Sequence, residues 1–298
     1  MSKRSVLHMF DPMQNNSPFD INMALDCDFD LLIPYSNVKL DSMHRLTQDV
    51  IFSRGPKGVK RTGIFLGGRD IGLAVDMLNA CKQAMVPPFE VSVFADPSGA
   101  FTTAAALVAC VEKELKAKHK KEFKDCKALV FGGTGPVGIA TGVIASLAGA
   151  ETILVDHISA DTASGLAAEY NRRFDSTLTG AAATYDEDKI ALIADVDIIF
   201  CTAKAGIQIL NTEVLSHTQQ LKVVGDVNAV PPAGIAGVQM NDFGVILPDT
   251  ENVASIGPLA IGNVKYKVQH ALLSSMLTGD KPVYIDFRAA FEKAKDIL

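Results

Sequence analysis

The sequence lacks the features that would place the protein in a membrane or on nucleic acid. None of its apolar runs approaches the roughly 18 residues that a membrane-spanning helix requires. A short apolar stretch at the N-terminus is interrupted by Asp11, so no signal peptide is expected. The net charge of −6 argues against the basic surface that nucleic-acid binding requires. We therefore expect neither a membrane nor a nucleic acid as a partner.

Cysteine and histidine are also sparse. The five cysteines are an odd number, lie far apart and form no C-x-x-C pair, which indicates buried thiols in a reducing compartment. We therefore predict a cytoplasmic location. The six histidines include no closely spaced set of ligands, so no metal site is expected.

What the sequence does contain is a regular alternation of short apolar runs and helical segments. This pattern predicts an α/β fold with parallel sheets and helices on both faces. A length of 298 residues exceeds the usual size of a single core, so two domains are expected. The charged stretch 113–127 suggests the boundary, which gives one domain of residues 1–123, completed by 274–298, and a second of residues 124–273. The candidate strands are 5–10, 30–36, 62–68, 89–96, 127–133, 151–156, 181–186, 197–203, 222–227 and 244–248, and two candidate helices are 71–85 and 101–115.

The segment FGGTGPVG (131–138) carries the clearest chemical signal. Gly133, Gly135 and Gly138 fit the pattern G-x-G-x-x-G between a predicted strand and a predicted helix. The first glycine permits a tight turn, the second lets the backbone approach a diphosphate, and the third lets the helix pack closely on the strand. Pro136 suits the first helical turn, whose free N–H groups favour an anion. The segment therefore predicts a Rossmann dinucleotide site. The predicted diphosphate-binding residues are Gly133, Thr134, Gly135, Pro136, Val137 and Gly138.

Asp156 indicates which dinucleotide is used. It ends the next predicted strand, 23 positions after Gly133, close to the spacing of about 20 that is typical of a ribose-binding acid. Its carboxylate would accept hydrogen bonds from the adenosine ribose and would repel the 2′-phosphate of NADP. The following residues, HISAD, include no Arg or Lys. We predict NAD as the cofactor, with NADP tolerated through His157 or a rearrangement. The alternative is a solvated acid at a strand end.

Polar segments elsewhere are candidates for the substrate site. Residues 15–26, 67–70 and 94–106 follow or border apolar runs, and ligands of α/β proteins collect at the carboxyl ends of strands. The same residue types also suit ordinary turns and a capped helix start. Further along, Lys265 and Lys267 are predicted at the start of a helix, where a cation opposes the helix dipole unless something anionic or polar meets it.

Four motifs resemble those of one known family. They are FADPSGAFTTAAA (94–106), FGGTGPVG (131–138), GDVNAVPPAGIAG (225–237) and AIGNVKYK (260–267). They closely resemble the methylene-tetrahydromethanopterin dehydrogenases of methylotrophic bacteria, and most closely the NAD(P)-dependent type. The resemblance runs from SVLHMF near the start to YIDFRAAFEKA near the end. It implies oxidation of 5,10-methylene-tetrahydromethanopterin to the methenyl form by NAD(P)⁺, in the one-carbon metabolism of formaldehyde oxidation.

The resemblance also implies an architecture and a set of site residues. A substrate-side α/β domain and a Rossmann domain would enclose the active cleft, in homotrimers or assemblies of them. The family's active-site lysine corresponds to Lys265, which would position the pterin. Because hydride leaves a carbon that lies between two nitrogens, no strong base is needed, and a carboxylate such as Asp20 or Asp96 could stabilise the developing cation. The other expected contacts are Ser17, Phe19, Ser98, Thr102 and Thr103 for the substrate, and Thr202, Ala203 and Asn228 for the nicotinamide ribose and carboxamide.

The residues at the end of the second Rossmann strand differ from those of one relative in the family. The relative that is specific for NADP ends its second Rossmann strand with a small residue followed by Arg, whereas this chain has Asp156–His157, which favours NAD. Two other functions stay open at this point. One is a methylene-tetrahydrofolate dehydrogenase on the same scaffold, and the other is a non-catalytic NAD-sensing protein.

Overall fold

A computed structural model describes residues 4–298. Within that range, no helix is both long enough and apolar enough to cross a membrane. The strands are β1 (Val6–Phe10), β2 (Leu31–Tyr35), β3 (Thr62–Leu66), β4 (Ser92–Ala95), β5 (Lys127–Phe131), β6 (Glu151–Asp156), β7 (Leu178–Ala182), β8 (Ile198–Cys201), β9 (Val223–Asp226), β10 (Phe243–Ile246), β11 (Ala254–Ile256) and β12 (Tyr284–Ile285). The α-helices are α1 (Pro18–Leu25), α2 (Met43–Phe52), α3 (Gly55–Val59), α4 (Ile71–Ala84), α5 (Ala100–Glu114), α6 (Pro136–Leu147), α7 (Ala160–Phe174), α8 (Asp186–Ile193), α9 (Thr212–Leu215), α10 (Pro258–Thr278) and α11 (Phe287–Ile297).

The chain forms two compact units, each built on its own sheet. The first unit contains Met1–Thr102 and Tyr266–Lys293, and the second contains Thr103–Lys265 and Ala294–Leu298. The chain therefore passes from one unit to the other near the start of α5, within α10 and within α11. The first changeover lies upstream of the charged stretch 113–127 and the second upstream of residue 273, which the sequence suggested as boundaries; the third, within α11, has no counterpart in that prediction. Two units on two sheets of parallel strands confirm the predicted α/β fold.

The first unit contains a five-stranded parallel sheet in the order β12-β4-β3-β1-β2. Every residue of β3 and β4 is buried, as is typical of parallel strands that are covered on both faces. From β1 the chain moves to β2 on one side and then to β3 and β4 on the other. The strand order therefore reverses between β1 and β3, and the carboxyl ends of the strands at such a reversal are where ligands bind in α/β sheets.

The second unit contains a seven-stranded sheet in the order β10-β11-β9-β8-β5-β6-β7. Only β10 is antiparallel to its neighbour among the pairs of this sheet in residues 4–298. The chain runs outward from β5 to β6 and β7 and then returns to β8 and β9 on the other side of β5. The strand order thus reverses between β5 and β8, as in a Rossmann dinucleotide-binding fold.

Buried apolar side chains hold these strands in place. Leu129, Ile199 and Val224, from the neighbouring strands β5, β8 and β9, belong to one buried cluster of the second unit. The helix α6 is buried from Gly138 to Ser146, which explains why its sequence is apolar on every side. Rigid strands of this kind fix the loops that follow their carboxyl ends, and those loops carry several of the candidate site residues.

Candidate functional site

The turn between β5 and α6 is shaped by two adjacent glycines. Gly132 has φ +72°, and a Cβ at this position would lie 2.6 Å from the backbone of Ala203. A Cβ at Gly133 would lie 2.7 Å from the carbonyl oxygen of Val130 and 2.8 Å from the nitrogen of Val155. The sequence pattern assigned the tight turn to Gly133. The structure corrects this, because Gly132 adopts the left-handed conformation while Gly133 is needed for the close approach of two strands.

The other two glycines of the pattern differ in their surroundings. A Cβ at Gly138 would collide with the backbone of the turn, including the Cα of Gly133 at 2.8 Å. A Cβ at Gly135 would meet, within 4 Å among the described residues and apart from its chain neighbours, only the carbonyl oxygen of Gly132 at 3.5 Å. Gly138 therefore packs the helix on the turn, and the open side of Gly135 leaves room for a ligand.

The helix α6 begins at this open side. Gly135 is the N-cap and has no side chain that could cap the helix, and Pro136 occupies the first turn. The N–H groups of Val137 and Gly138, also in the first turn, have no partner within the helix. Free N–H groups and the positive end of the helix dipole suit a diphosphate. The residues predicted to bind the dinucleotide therefore fit such a group.

Asp156 lies at the end of β6, beside this turn, with only 8% of its surface exposed. Its Oδ1 accepts hydrogen bonds from the N–H groups of Ile158 and Ser159, both at 2.9 Å, and its Oδ2 accepts one from the hydroxyl of Thr134 at 2.8 Å. Burial alone would raise the pKa of Asp156, but these three donors lower it by more, so the pKa lies below the usual range. The carboxyl group is thus fixed in position and ionised.

The loop after β8 is joined to the glycine turn. The hydroxyl of Thr202 donates to the carbonyl oxygens of Phe131 at 2.9 Å and Gly132 at 3.2 Å. Ala203 packs against Gly132, as described above. The side chain of His157, by contrast, is exposed, and its Nδ1 lies 3.9 Å from Oδ2 of Asp156. The structure therefore brings Thr202 and Ala203 to the turn at the strand-order reversal and leaves His157 in solvent beside Asp156.

Asn228 is held by a set of hydrogen bonds to the backbone. Its Oδ1 accepts from the N–H groups of Gly206 at 3.1 Å and Val230 at 3.0 Å, and its Nδ2 donates to the carbonyl oxygen of Pro232 at 2.8 Å. Two donors fill the lone pairs of an amide oxygen, whereas an amide nitrogen has two hydrogens. One Nδ2 hydrogen is therefore available in addition to the one given to Pro232.

Sequence reasoning did not single out Asp226, although it is fully buried at the end of β9. Its Oδ1 accepts from the N–H of Asn228 at 2.9 Å and its Oδ2 from the N–H of Ile235 at 3.1 Å. Burial raises the pKa of Asp226, and the hydrogen bonds that it accepts oppose this rise. An acid at a strand end followed by a loop rich in Pro and Gly was the signal that could have identified it.

In the first unit, Asp20 lies on α1 with 3% of its surface exposed. Its Oδ1 accepts a hydrogen bond at 2.8 Å from Nε2 of Gln269, which is itself fully buried on α10. Ser17 is the N-cap of α1, and its hydroxyl accepts from the N–H of Asp20 at 3.3 Å. Phe19, between them in sequence, is 50% exposed. The cap thus positions a buried carboxylate beside an exposed aromatic ring.

Asp96, at the end of β4, holds the start of α5. Its carboxylate accepts from the N–H groups of Phe101 and Thr102, at 2.9 and 3.1 Å, and from the hydroxyl of Thr102 at 2.6 Å. Ser98 has φ +54°, and its hydroxyl donates to the carbonyl oxygen of Gly68. Thr103 follows on α5 and is half-buried. Asp96 and Thr102 are therefore in contact, and Ser98 joins their loop to the loop after β3.

Asp11 is a buried acid at the end of β1 that sequence reasoning noticed only as an interruption of the N-terminal apolar stretch. It lies at the strand-order reversal of the first sheet, and a Cβ added at Gly67 would collide with its carboxyl group. Burial raises the pKa of Asp11, and the N–H groups of Met13 and Gly68 lower it by less. A single acid directly after a strand, without a recognisable motif, gave no signal that it would be buried at this reversal.

The position of Lys265 on its helix differs from the prediction. The sequence placed Lys265 and Lys267 at a helix start, but α10 begins at Pro258, so both lie about two turns inside the helix. The helix dipole acts mainly on the first and last turns, so the argument from an unfavourable dipole does not apply. Lys265 is half-buried, Lys267 is exposed, and Gln269 follows Lys265 by one helical turn.

No group of three or more His, Cys, Asp or Glu side chains that could hold a metal ion occurs in residues 4–298. All five cysteines are buried free thiols. The chemistry of the described candidate residues is therefore that of carboxylates, hydroxyls, amides, one lysine and the free N–H groups at the start of α6.

Comparison with known proteins shows where this chain belongs. A family model described as "Methylene-tetrahydromethanopterin dehydrogenase, N-terminal" matches residues 18–98. The chain is 30% identical over 297 residues to the bifunctional protein MdtA of Methylorubrum extorquens, covering 100% of both chains. A solved structure of shikimate 5-dehydrogenase from Listeria monocytogenes, in complex with shikimate and NAD, has a TM-score of 0.51 at 14% identity. It covers 99% of this chain and 96% of that one, and this likeness shows a shared fold alone.

A closer relative extends along the whole chain. It is the NAD(P)-dependent methylenetetrahydromethanopterin dehydrogenase of Methylorubrum extorquens, to which the chain is 46% identical over 294 residues, covering 99% of both. The chain belongs to the methylene-tetrahydromethanopterin dehydrogenase family.

Proposed function

We propose that the protein oxidises 5,10-methylene-tetrahydromethanopterin to the methenyl form and transfers the hydride to NAD(P)⁺, as a step of formaldehyde oxidation in one-carbon metabolism. The observation that carries this proposal is the 46% identity over 99% of the chain to a relative named for that reaction. Two features of the second unit support a dinucleotide as the cofactor. The glycine turn is open at Gly135, and Asp156 is held in a fixed position by a hydrogen bond from Thr134.

The reaction asks little acid–base chemistry of the protein. The methylene carbon lies between two nitrogens, whose lone pairs stabilise the amidinium cation that is left when hydride departs. No proton leaves the reacting carbon, so no strong base is needed. When bound, NAD(P)⁺ supplies the hydride acceptor. The side chains have to hold the two reactants with the reacting atoms about 3–3.5 Å apart and to exclude water.

We assign the electrostatic role to Asp20. Both Asp20 and Asp96 are buried. The carboxylate of Asp96 accepts three hydrogen bonds from Phe101 and Thr102 and so holds the start of α5. Asp20 is oriented by Nε2 of Gln269, and a carboxylate held in this way stabilises positive charge that develops on the substrate. Asp96 then shapes the loop that presents Ser98, and Thr102 and Thr103 follow it on α5.

The remaining substrate contacts are assigned to Lys265 and Phe19. Lys265, a half-buried residue, matches the active-site lysine of the family, and its amine would position the pterin and tune the charge around its ring nitrogens. The exposed ring of Phe19 offers an apolar surface to the flat pterin, beside the capping hydroxyl of Ser17.

We propose that NAD is preferred to NADP. An ionised carboxylate has about four acceptor positions, and three of those on Asp156 are occupied by Ile158, Ser159 and Thr134. The position left on Oδ2 suits one ribose hydroxyl. A 2′-phosphate would instead face a fixed negative charge, and the side chain beside that charge is the exposed His157. On the nicotinamide side, Thr202 and Ala203 border the ribose and the available Nδ2 hydrogen of Asn228 suits the carboxamide oxygen.

The experiment that tests the proposed function is a spectrophotometric assay of four pairs of substrates. It combines methylene-tetrahydromethanopterin or methylene-tetrahydrofolate with NAD⁺ or NADP⁺. We expect the highest kcat/KM with the methanopterin substrate and NAD⁺. A higher kcat/KM with the folate substrate would replace the methanopterin assignment, and binding of NAD⁺ without reduction by either pterin would favour a sensor protein.

We further propose a homo-oligomer based on trimers and a cytoplasmic location. The edge strand β2 exposes the apolar side chains of Leu31 and Ile33, by 39% and 37%, which favours contact with another copy of the chain. The five free thiols are in keeping with a reducing compartment. Light scattering coupled to size-exclusion chromatography would measure the mass of the assembly, and a monomer would contradict this part of the proposal.

A further inference from the structure

Asp226 forms the centre of a buried polar network at the carboxyl ends of β8 and β9. It is the register partner of Cys201 on the neighbouring strand. Its carboxylate accepts hydrogen bonds from the N–H groups of Asn228 at 2.9 Å and Ile235 at 3.1 Å. Gly234 packs against the same carboxylate, because a Cβ added there would lie 3.0 Å from Oδ1 and 3.1 Å from Oδ2. The loop 227–235 is therefore folded back onto the end of the strand from which it leaves.

The amide of Asn228 connects this folded loop to the loop after β8. Its Oδ1 accepts from the N–H of Gly206 at 3.1 Å and its Nδ2 donates to the carbonyl oxygen of Pro232 at 2.8 Å. A second set of hydrogen bonds joins the same two loops, since the N–H groups of Ile209 and Leu210 both donate to the carbonyl oxygen of Gly234. Hydrogen bonds at two places thus join the two loops.

The loop after β8 is also tied at its beginning. Thr202 donates to the carbonyl oxygens of Phe131 and Gly132, so the segment 202–206 is fixed to the glycine turn at one end and to Asn228 at the other. In Rossmann folds the nicotinamide half of the cofactor lies over the carboxyl ends of these strands. Nothing in this network depends on a residue outside the second unit.

We propose that Asp226 is a positioning residue for hydride transfer, which sets the place of the nicotinamide through the two loops that its network joins. Asp226 is fully buried and cannot touch the cofactor, so it acts only through Asn228, Gly234 and the segment 202–206. A displacement of about 1 Å in a reacting group costs roughly 100-fold in rate. This inference rests on the proposed function.

The test compares Asp226→Asn with a matched control. The substitution keeps the size of the side chain but replaces one acceptor by an NH₂ group, which would face N–H donors. The control is Asp197→Asn, at the amino end of the sheet in the same unit. Asp197 is also buried and accepts from the N–H of Lys127 at 3.1 Å and from Nζ of Lys121 at 2.7 Å. Each variant is measured as full-length protein with the four pairs of substrates, together with its Tm.

The two variants should separate stability from positioning. We expect both to lower Tm, but Asp226→Asn should lower kcat roughly 100-fold while the Kd for NAD⁺ changes by less than about threefold. The Kd for NAD⁺ should change little because the substitution does not alter the glycine turn or Asp156. The kinetic isotope effect with dideuterated methylene substrate should rise, because hydride transfer becomes rate-limiting. Asp197→Asn should keep kcat within about threefold of the parent enzyme.

The proposal is overturned if folded Asp226→Asn turns over as fast as Asp197→Asn. If Asp226→Asn does not fold, Gly234→Ala takes its place, because the added Cβ would lie 2.5 Å from Sγ of Cys201 and 3.0 Å from Oδ1 of Asp226 and would lift the loop from the carboxylate. The same loss of kcat is expected there, and an unchanged kcat overturns the proposal. If the parent enzyme reduces NAD⁺ with neither of the two pterin substrates, the proposed function is overturned, and this inference falls with it. An active parent with an unaffected variant overturns this inference alone.

Discussion

The hydroxyl of Thr134 donates a 2.8 Å hydrogen bond to Oδ2 of Asp156, and this bond joins the glycine turn between β5 and α6 to the acid at the end of β6. The other carboxylate oxygen is held by the N–H groups of Ile158 and Ser159. A carboxylate that is fixed in this way cannot turn aside for a 2′-phosphate. The choice of cofactor should therefore depend on one side chain.

Replacing that side chain should change the cofactor preference. With Asp156→Ser we expect the KM for NAD⁺ to rise and the KM for NADP⁺ to fall, each by roughly tenfold, because a hydrogen bond to a charged group and a repulsion of similar size are removed. Steady-state kinetics with both cofactors measures this. Glu151→Ser, at the exposed amino end of the same strand, is the control and should change neither KM. An unaltered NAD⁺/NADP⁺ ratio in Asp156→Ser would contradict the assignment.

Two glycines of the turn should respond to alanine in opposite ways. Gly138→Ala should lower Tm, because its Cβ would collide with the backbone of Gly132 and Gly133. Gly135→Ala should leave Tm almost unchanged and raise the KM for NAD⁺ by roughly tenfold or more, because its methyl group would project into the open side of the turn. Thermal unfolding and steady-state kinetics on both variants check this. A normal KM in Gly135→Ala would mean that the diphosphate binds elsewhere.

The stability of the protein should depend on Asp156 in a defined pH range. Its pKa in the folded state is lowered below 3.8, the ordinary value for an aspartate, so its contribution to the free energy of unfolding is present above pH 3.8 and is lost as the pH falls through the folded pKa. The difference in urea midpoint between the parent and Asp156→Asn should therefore shrink between about pH 5 and about pH 3. A difference that stays constant or grows on acidification would show that the pKa is not lowered.

Lys265 can be tested against a lysine on the same helix. If Lys265 positions the substrate as proposed, Lys265→Ala should lower kcat/KM roughly 100-fold, because the positioning charge is removed. Lys267→Ala removes an exposed lysine two residues further on and should leave kcat/KM within about threefold. Circular dichroism excludes a loss of fold in either variant. Equal kcat/KM values for the two variants would remove Lys265 from the site.

Asp20 can likewise be tested against a control aspartate on the same helix. Asp20→Asn keeps an oxygen that can accept from Gln269 but removes the negative charge, so kcat should fall roughly 100-fold with little change in Tm. Asp26→Asn, at the exposed end of the same helix, should behave like the parent. If Asp20→Asn keeps kcat, the developing cation is stabilised by another group.

Much of the fold follows from local sequence signals. Strands predicted at 62–68 and 151–156 occur at Thr62–Leu66 and Glu151–Asp156, because each is an apolar run bounded by polar or glycine residues. The strand predicted at 181–186 lies instead at Leu178–Ala182. Its last predicted residues cap α8, where the carboxylate of Asp188 accepts from the N–H groups of Thr184 and Tyr185.

Other features depend on contacts that are distant in sequence. The strands β11 and β12 have only three and two residues, too few for a periodic pattern, and β12 is defined by pairing with β4 far away in the chain. The start of α10 at Pro258 could not be read from its two lysines. The hydrogen bonds of Asp20 to Gln269 and of Asn228 to Gly206 join residues that no local motif relates.

The measurement that tests the central claim most directly follows the hydride itself. Methylene-tetrahydromethanopterin prepared with two deuterium atoms on its methylene carbon is incubated with the enzyme and NAD⁺, and the reduced nicotinamide is examined by NMR. The account predicts one deuterium at C4 of the nicotinamide and one retained in the methenyl product. Reduced nicotinamide without deuterium at C4, or no reduction at all, would contradict direct hydride transfer from this substrate.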